Sequence, residues 1–235
     1  MISIITGTLN RSVMLPRLIE NTIMSDERIE LVLVDGGSTD GTIDYVNKLN
    51  HPQIRLIEVG GRSPYPHFMN LAIKESKHDI VCQWNDDVIL CNKWSEVFSE
   101  IESDHDFYLF NWKYGTFEDT KDPNWLKGRD HTEGWCLCNN ADSGGEIVMN
   151  YGLYRKKIFR EIGMYSSDYQ YYCADGDMAY RAWAFGYHVK DLRHVKVCSL
   201  PVGKVATSHF EDQSIYQKNL SFYKQKVLPE SIQYL

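Results

Sequence analysis

The sequence predicts an α/β fold in which helices flank a mainly parallel central sheet. In the first hundred residues, short apolar runs rich in β-branched residues alternate with stretches whose apolar residues recur three and four positions apart. Such alternation is typical of βαβ units, in which each helix connects two parallel strands. Ligands of these sheets bind beyond the carboxyl ends of the strands, so the polar residues that follow each run are the candidate functional residues.

The predicted elements follow one another closely along the chain. The apolar runs predict strands at residues 3–5, 31–34, 54–57, 80–84 and 107–110. The amphipathic stretches predict helices at residues 15–23, 43–49, 66–76, 155–162, 177–185 and from 214 onward. Between 113 and 145 the sequence lacks clear periodicity and is rich in Gly, Asp, Asn, Trp and Cys, which predicts a long loop that is functional or has irregular structure of its own.

Composition restricts the class of protein. The chain has 235 residues and a formal net charge of −7, from 25 Lys and Arg against 32 Asp and Glu. Sequence-independent binding of nucleic acid needs a surplus of basic residues, so we expect no nucleic-acid partner. No run approaches the roughly 18 apolar residues of a membrane-spanning helix, and the N-terminus lacks the basic start of a signal peptide. The six cysteines contain no C-x-x-C pair, so we expect reduced thiols and a cytoplasmic protein.

The first candidate motif follows the predicted strand at 31–34, where residues 35–42 read D-G-G-S-T-D-G-T. A carboxylate at a strand end, beside backbone N–H groups, suits a ribose hydroxyl or a base N–H, which makes Asp35 a candidate nucleotide ligand. The alternative is a plain turn with a helix cap, which accounts for residues 38–41 better than for Asp35. The spacing does not match a dinucleotide fingerprint, a P-loop or a nucleophile elbow.

The second candidate motif, Asn85-Asp86-Asp87, follows the predicted strand at 80–84. Adjacent carboxylates repel each other and are stabilised by a cation, and their hard oxygen atoms suit Mg²⁺ or Mn²⁺. The alternative is a pair of solvated acids that cap the next turn. We favour a metal site because the motif shares one predicted sheet edge with Asp35.

Residues 2–11, 33–42 and 85–87 together resemble, in order and spacing, the nucleotide-binding half of glycosyltransferase family 2. The resemblance implies the GT-A fold. It also implies an inverting enzyme that moves a sugar from a nucleoside diphosphate donor to a hydroxyl of a glycan or glycoconjugate. We expect a UDP-sugar ahead of a GDP- or dTDP-sugar as the donor.

The resemblance covers residues 1–186 except the long middle loop, and a length of 235 residues suits a single GT-A domain over residues 1–235. This domain comprises a nucleotide-sugar-binding half at 1–112, an acceptor-side half at 113–212 and a C-terminal helical extension at 213–235. We expect association with a membrane only through the acceptor, and the oligomeric state stays open.

Carried over residue by residue, the family's nucleotide site falls on the loops after the first strands. Thr8 and Asn10 are expected to border the nucleotide, and Asp35 to hydrogen-bond the base or the ribose. The third helix lacks the arginine that several family members carry, so we assign the diphosphate to Arg62 instead.

The resemblance also implies a metal site. Residues Asn85, Asp86 and Asp87 stand for the family's D-x-D motif, with Asp86 facing the ribose and Asp87 binding the divalent cation, Mn²⁺ or Mg²⁺. His209 is a further candidate ligand of this cation, because some GT-A enzymes use a late histidine in this way.

The segment at 174–181 resembles the family stretch E-D-x-D-L-x-x-R. This register makes Asp175 the catalytic base, although Ala174 replaces the usual acid. Asp177 is the alternative base, and it lies four residues before Arg181, with which it could pair on one helical face.

The aromatic residues of the second half offer platforms for sugar stacking, and Trp135 and Tyr172 are the candidates. Two rival functions remain. A sugar nucleotidyltransferase would have a glycine-rich, basic N-terminal loop, which residues 7–11 lack. A non-catalytic nucleotide-sugar- or carbohydrate-binding module would need Asp35 and Asp87 but not Asp175.

Overall fold

The computed structural model describes residues 1–114, 151–171 and 173–199, together with Lys218 and Ser221. Within these residues the chain forms eight strands and six helices. The strands are β1 (Ile2–Thr8), β2 (Ile29–Asp35), β3 (Ile54–Glu58), β4 (Ile80–Gln83), β5 (Val88–Leu90), β6 (Phe107–Tyr114), β7 (Gly152–Arg155) and β8 (Val189–Ser199). The helices are α1 (Leu15–Asn21), α2 (Thr42–Leu49), α3 (Tyr65–Glu75), α4 (Trp94–Ser99), α5 (Lys156–Ile162) and α6 (Ala174–Ala184).

The strands form one sheet in the order β3-β2-β1-β4-β7-β6-β8-β5. β1 pairs in parallel with β2 and β4, β2 with β3, and β6 with β8. β7 is antiparallel to β4 and β6, and β5 is antiparallel to β8. The predicted α/β fold with a mainly parallel sheet is therefore confirmed. Because β1 to β4 run in the same direction, Thr8, Asp35, Glu58 and Gln83 lie at one edge of the sheet.

Helices cover both faces of this sheet, which explains why β2 is buried along its whole length. Alternate residues of β2 enter different hydrophobic clusters. Val32 and Val34 belong to the cluster that contains Met69 of α3, whereas Leu31 and Leu33 belong to the cluster that contains Leu15 of α1. Burial of an aliphatic side chain contributes roughly 1.5–3 kcal/mol. These two layers therefore hold the strands whose ends form the candidate site.

The predicted strands are confirmed as β1, β2, β3, β4 and β6, and five of the predicted helices as α1, α2, α3, α5 and α6. The sequence pattern misses α4, β5, β7 and β8. β7 is a short antiparallel strand whose partners are distant in sequence, so no local periodicity reveals it. Its first residue, Gly152, approaches β6 so closely that a Cβ atom would overlap the carbonyl oxygen of Tyr108.

Two predicted segments fall mainly outside the described residues. Lys218 and Ser221 are helical, but the rest of the helix predicted from residue 214 onward is not described. Of the loop predicted at 113–145, residues 113 and 114 instead belong to β6, and the remainder lies outside the described residues. In the part of the chain that is described, no helix combines the length and apolar composition needed to cross a bilayer.

Candidate active site

The loops that follow β1 and β2 are joined by hydrogen bonds at the carboxyl edge of the sheet. The backbone N–H of Gly36 donates to the Thr8 carbonyl at 2.9 Å. Asn10 donates its backbone N–H to Ser38 Oγ and accepts from the N–H of Thr39 through its side-chain oxygen, each at 2.8 Å. Asn10 therefore lies in the predicted region, where its side chain fixes the shape of the loop.

Asp35 ends β2 and is completely inaccessible to solvent. Its Oδ1 accepts from the backbone N–H groups of Gly37 and Ser38 at 2.8 Å, and its Oδ2 accepts from the Ser38 hydroxyl at 2.5 Å. Both carboxylate oxygens thus accept hydrogen bonds within the turn. The turn also depends on glycine, because Gly37 has a φ of +88° and a Cβ there would lie 3.2 Å from Gly60. Asp35 organises this loop, and its role toward a base or ribose stays a prediction.

Asp86 lies inside the end of the sheet. The Arg11 guanidinium donates from Nε to Asp86 Oδ1 at 3.3 Å, and the side chains are only 5% and 10% exposed. Burial raises the pKa of the Asp86 carboxyl, because desolvation outweighs the opposing attraction of Arg11. The Thr8 side chain is also buried and lies beside Asp86, whose pKa it lowers against the larger effect of burial. This corner of the site therefore contains a buried ion pair and a buried hydroxyl.

Aromatic side chains contact the residues on either side of Asp86 and Asp87. Trp84 is fully buried and donates its indole N–H to the Val88 carbonyl at 3.0 Å. The Asn85 side-chain amide donates to the Tyr151 hydroxyl at 3.1 Å, and the rings of Trp84 and Tyr151 lie 6.0 Å apart. Asp87 is partly buried at the tip of this turn. Packing thus supports the residues on either side of Asp86 and Asp87.

Asp175 lies in the first turn of α6 and is partly buried. Burial raises its pKa to about 6, although a hydrogen bond at 3.0 Å from the backbone N–H of Gly176 opposes the shift. The phenols of Tyr65, Tyr154 and Tyr165 lie close enough for the Asp175 charge to raise their pKa values, after the larger effect of their own burial. A carboxyl group with such a pKa can accept a proton near neutral pH.

One of these phenols, that of Tyr165, is hydrogen-bonded to the end of β4. The Tyr165 hydroxyl donates to the side-chain oxygen of Gln83, the last residue of β4. The side chain of Asn70 bonds both backbone polar groups of Tyr165, at 2.9 and 3.0 Å, and so fixes its position. The charge of Asp175 therefore acts on a tyrosine that is hydrogen-bonded to the strand preceding the acidic turn.

Asp177 has different surroundings from Asp175. It is 1% exposed and accepts from Arg181 Nε at 2.8 Å, so the predicted pairing of these residues is confirmed. Arg181 also donates to the carbonyls of Ile162 and Met164 at 2.9 Å. The pair ties α6 to the end of α5. Because its carboxylate is enclosed and paired, Asp177 is less suited than Asp175 to meet a substrate.

Arg62 is exposed in the loop between β3 and α3. Its guanidinium lies over the ring of Tyr171 at 4.8 Å from the centroid. A Cβ added to Gly36 would lie 3.6 Å from the Arg62 Cα atom, so this loop borders the turn after β2. Arg62 therefore lies at the predicted edge. Trp135, Tyr172 and His209 lie outside the described residues.

Sequence reasoning missed Arg11 and the tyrosines around Asp175. Arg11 directly follows Asn10, and its position just after a strand end was the available signal. The tyrosines come from α3, β7 and the connection between α5 and α6, and no spacing links them. Elsewhere, Glu102, Asp104 and His105 place possible metal-binding atoms within 4.8 Å of one another. That group precedes β6 and lies near the amino end of β4, at the opposite edge of the sheet from Asp87.

Comparisons with known proteins agree with this architecture. The model of glycosyl transferase family 2 matches residues 3–171, which is more than half of the chain. No curated protein matches the sequence.

Several solved structures have a similar fold. The mannosyltransferase PcManGT from Pyrobaculum calidifontis, in complex with GDP-Man and Mn²⁺, aligns with a TM-score of 0.62 and 17% identity, over 87% of this chain and 58% of that one. TarS from S. aureus aligns with a TM-score of 0.64 and 17% identity, over 97% and 44%. A TarS fragment in complex with UDP-GlcNAc gives 0.64 and 17%, over 92% and 64%. The likeness confirms the GT-A fold, and the chain spans about half the length of PcManGT and TarS.

Proposed function

The chain belongs to glycosyl transferase family 2, and we propose that it is an inverting, metal-dependent enzyme acting on a nucleoside diphosphate sugar. The acceptor is a hydroxyl of a glycan or glycoconjugate. The observation that carries this proposal is Asp175. It is a partly buried carboxyl whose pKa is raised to about 6, and its charge acts on Tyr165, which is hydrogen-bonded to Gln83 at the end of β4.

We assign the donor to the carboxyl edge of β1, β2 and β4. The loops at this edge are preorganised, since Asp35 and Asn10 are held by hydrogen bonds within the protein. We assign Thr8, which is buried beside Asp86 at the same edge, to contact with the nucleotide. Arg62 borders the same edge and supplies positive charge for the diphosphate.

The residues of the acidic turn fit a divalent cation. The carboxylate of Asp87 offers the hard oxygen atoms that Mn²⁺ and Mg²⁺ prefer as ligands. Arg11, the cation nearest to this turn among the described pairs, is already engaged with Asp86. A cation bound by Asp87 would neutralise the charge that develops on the leaving diphosphate.

The reaction is a single displacement at the anomeric carbon. Asp175 accepts the proton of the acceptor hydroxyl while that oxygen forms a bond to the anomeric carbon. The bond between this carbon and the diphosphate oxygen breaks on the opposite face, which inverts the configuration and releases the nucleoside diphosphate. General base catalysis of this kind contributes typically about 10²–10⁴-fold, and the alignment of donor and acceptor contributes further.

The donor is best identified by a thermal-shift panel of UDP-, GDP- and dTDP-sugars, with and without Mn²⁺. TarS complexes contain UDP-GlcNAc or UDP, and the PcManGT complex contains GDP-Man, so both bases belong in the panel, with UDP first. A stabilising shift with one donor class supports the proposal. If no nucleotide sugar shifts the melting temperature under any condition, the donor site is refuted.

Product analysis with the best donor then separates the rival functions. Release of the nucleoside diphosphate, with transfer or slow hydrolysis of the sugar, supports a glycosyltransferase and excludes a non-catalytic binding module. Release of pyrophosphate from a nucleoside triphosphate and a sugar phosphate would instead identify a nucleotidyltransferase. Asp175→Asn should keep the donor-induced shift and lose turnover.

A further inference from the structure

Two thiols that are distant in the sequence meet where β5 pairs with β8. The Sγ atoms of Cys91 and Cys198 lie 3.0 Å apart, although the residues are 107 positions apart in the sequence. Both are thiols rather than half of a disulfide in the structure. The spacing of the cysteines in the sequence does not reveal this pair, because connectivity cannot be deduced from spacing alone.

Strand pairing explains how the thiols come together. β5 is antiparallel to β8 with Leu90 opposite Val197, and the backbone N–H of Cys91 donates to the Lys196 carbonyl at 2.8 Å. Cys91 is thus opposite Lys196, and Cys198 lies two residues further along the same face of β8. Such diagonal neighbours reach each other across a twisted antiparallel pair.

The two thiols differ in accessibility. Cys198 is 0% exposed, whereas Cys91 is partly exposed at the end of the terminal strand of the sheet. A dissolved oxidant therefore reaches Cys91 first, and Cys198 is positioned to complete the reaction. The sulfur atoms need to approach by only about 1 Å to reach a disulfide bond length.

We propose that Cys91 and Cys198 form a reversible intramolecular disulfide, which makes this pair a redox modification site. The oxidant is a small-molecule disulfide such as oxidised glutathione. The Cys91 thiolate attacks one sulfur of the oxidant and releases one thiolate, and the Cys198 thiolate then attacks Cys91 Sγ and releases the second. The protein loses two protons and two electrons, and the small disulfide is reduced to two thiols.

The bond would join β8 to the strand that follows the acidic turn, because β5 begins directly after Asp87. β5 is otherwise anchored through Asn21, whose side chain bonds both the N–H and the carbonyl of Leu90, at 2.6 and 3.0 Å. Oxidation would therefore restrain the strand that follows the acidic turn, whatever reaction the site performs.

The test is peptide mapping of the wild-type protein after incubation with oxidised glutathione, without a reducing agent. We expect one crosslinked peptide pair that contains Cys91 and Cys198, and the loss of two hydrogen atoms from the intact mass. Closing so long a loop should raise the melting temperature by roughly 5–15 °C, reversibly with dithiothreitol. If Cys91 and Cys198 stay alkylatable after oxidation, or if the dominant crosslink joins either of them to another cysteine, the proposal is overturned.

Variants check the assignment independently. Cys91→Ser should fold, because this side chain is partly exposed, and should show no increase in melting temperature on oxidation. The control, Cys136→Ser with Cys138→Ser, keeps the proposed pair and should retain the increase. A shift that disappears in the control but persists in Cys91→Ser would refute the pairing. The map of the wild-type protein decides the question if a variant fails to fold.

Discussion

Replacing Asp175 with asparagine is expected to stabilise the folded protein at neutral pH while removing the proposed base. Burial raises the pKa of this carboxyl from an ordinary value of 3.8 to about 6. The folded state therefore resists ionisation of Asp175, and the unfolded chain does not. A neutral amide of nearly the same shape avoids this cost.

The pH dependence follows from the direction of the shift. Below about pH 4 the carboxyl is protonated in both states, so wild type and Asp175→Asn should have similar stability. As the pH rises from about 4 to about 6, the unfolded chain ionises first and the wild type loses stability. Above about pH 6 the loss is complete, and the difference between the two proteins becomes constant.

The magnitude follows from the two pKa values. A difference of about two pH units corresponds to an upper limit of about 3 kcal/mol. Because Asp175 is only partly buried, solvent screening reduces the expected gain to about 1–2 kcal/mol. In a protein of this size such a gain raises the melting temperature by roughly 2–8 °C.

Urea denaturation of both proteins at about pH 4 and about pH 8 measures this difference as a change in the free energy of unfolding. Asp177→Asn is the matched control, because it changes the same group in the same turn of α6. Asp177 is paired with Arg181 at 2.8 Å, so its substitution should destabilise the protein at about pH 8, by about 2–4 kcal/mol. If Asp175→Asn is no more stable than wild type at the higher pH, or gains equally at both, burial of an ionised Asp175 is refuted.

Three further outcomes are expected. The rate of sugar transfer by the wild type should rise with pH through about 6, because the base must be deprotonated, and a wild-type rate that falls as the pH rises would contradict the assignment. Asp175→Asn should lower the rate by about 10²–10⁴-fold with unchanged donor affinity. Arg11→Met should destabilise the protein by about 2–4 kcal/mol in urea titrations, since it leaves Asp86 buried without its partner. The double variant with Asp86→Asn should recover part of the lost free energy of unfolding. Asp87→Asn should weaken the Mn²⁺-dependent part of the donor-induced thermal shift and leave folding unchanged. An unaltered response to Mn²⁺ would refute the assignment of Asp87 as a metal ligand.

The N-terminal half of the fold is predictable because the pattern of apolar residues that identifies each element lies within that element. β1 and β2 are apolar runs buried on both faces, and each is followed by a helix with recurring apolar residues. A run of this kind has few alternatives to a central parallel strand. β8 is different, because Lys190 lies within it and is paired with Glu100 and Glu102. Those partners are distant in sequence, so a charged strand at this position has no local signal.

The candidate site, like the fold, has features that the sequence predicts and features that depend on tertiary packing. Sequence alone determined that Asp35 and Asp87 lie at or just after strand ends, since strand ends can be read from local periodicity, whereas the structure begins α6 at Ala174, three residues before the predicted helix, and so includes Asp175. Only the tertiary structure decided what surrounds each carboxyl. Asp35 is enclosed by its own turn, Asp86 is paired with Arg11, and Asp175 lies among tyrosines from three separate elements. The physical reason is that the protonation and partners of an acid depend on burial and on charges brought close by packing, and neither is encoded in the residues beside it.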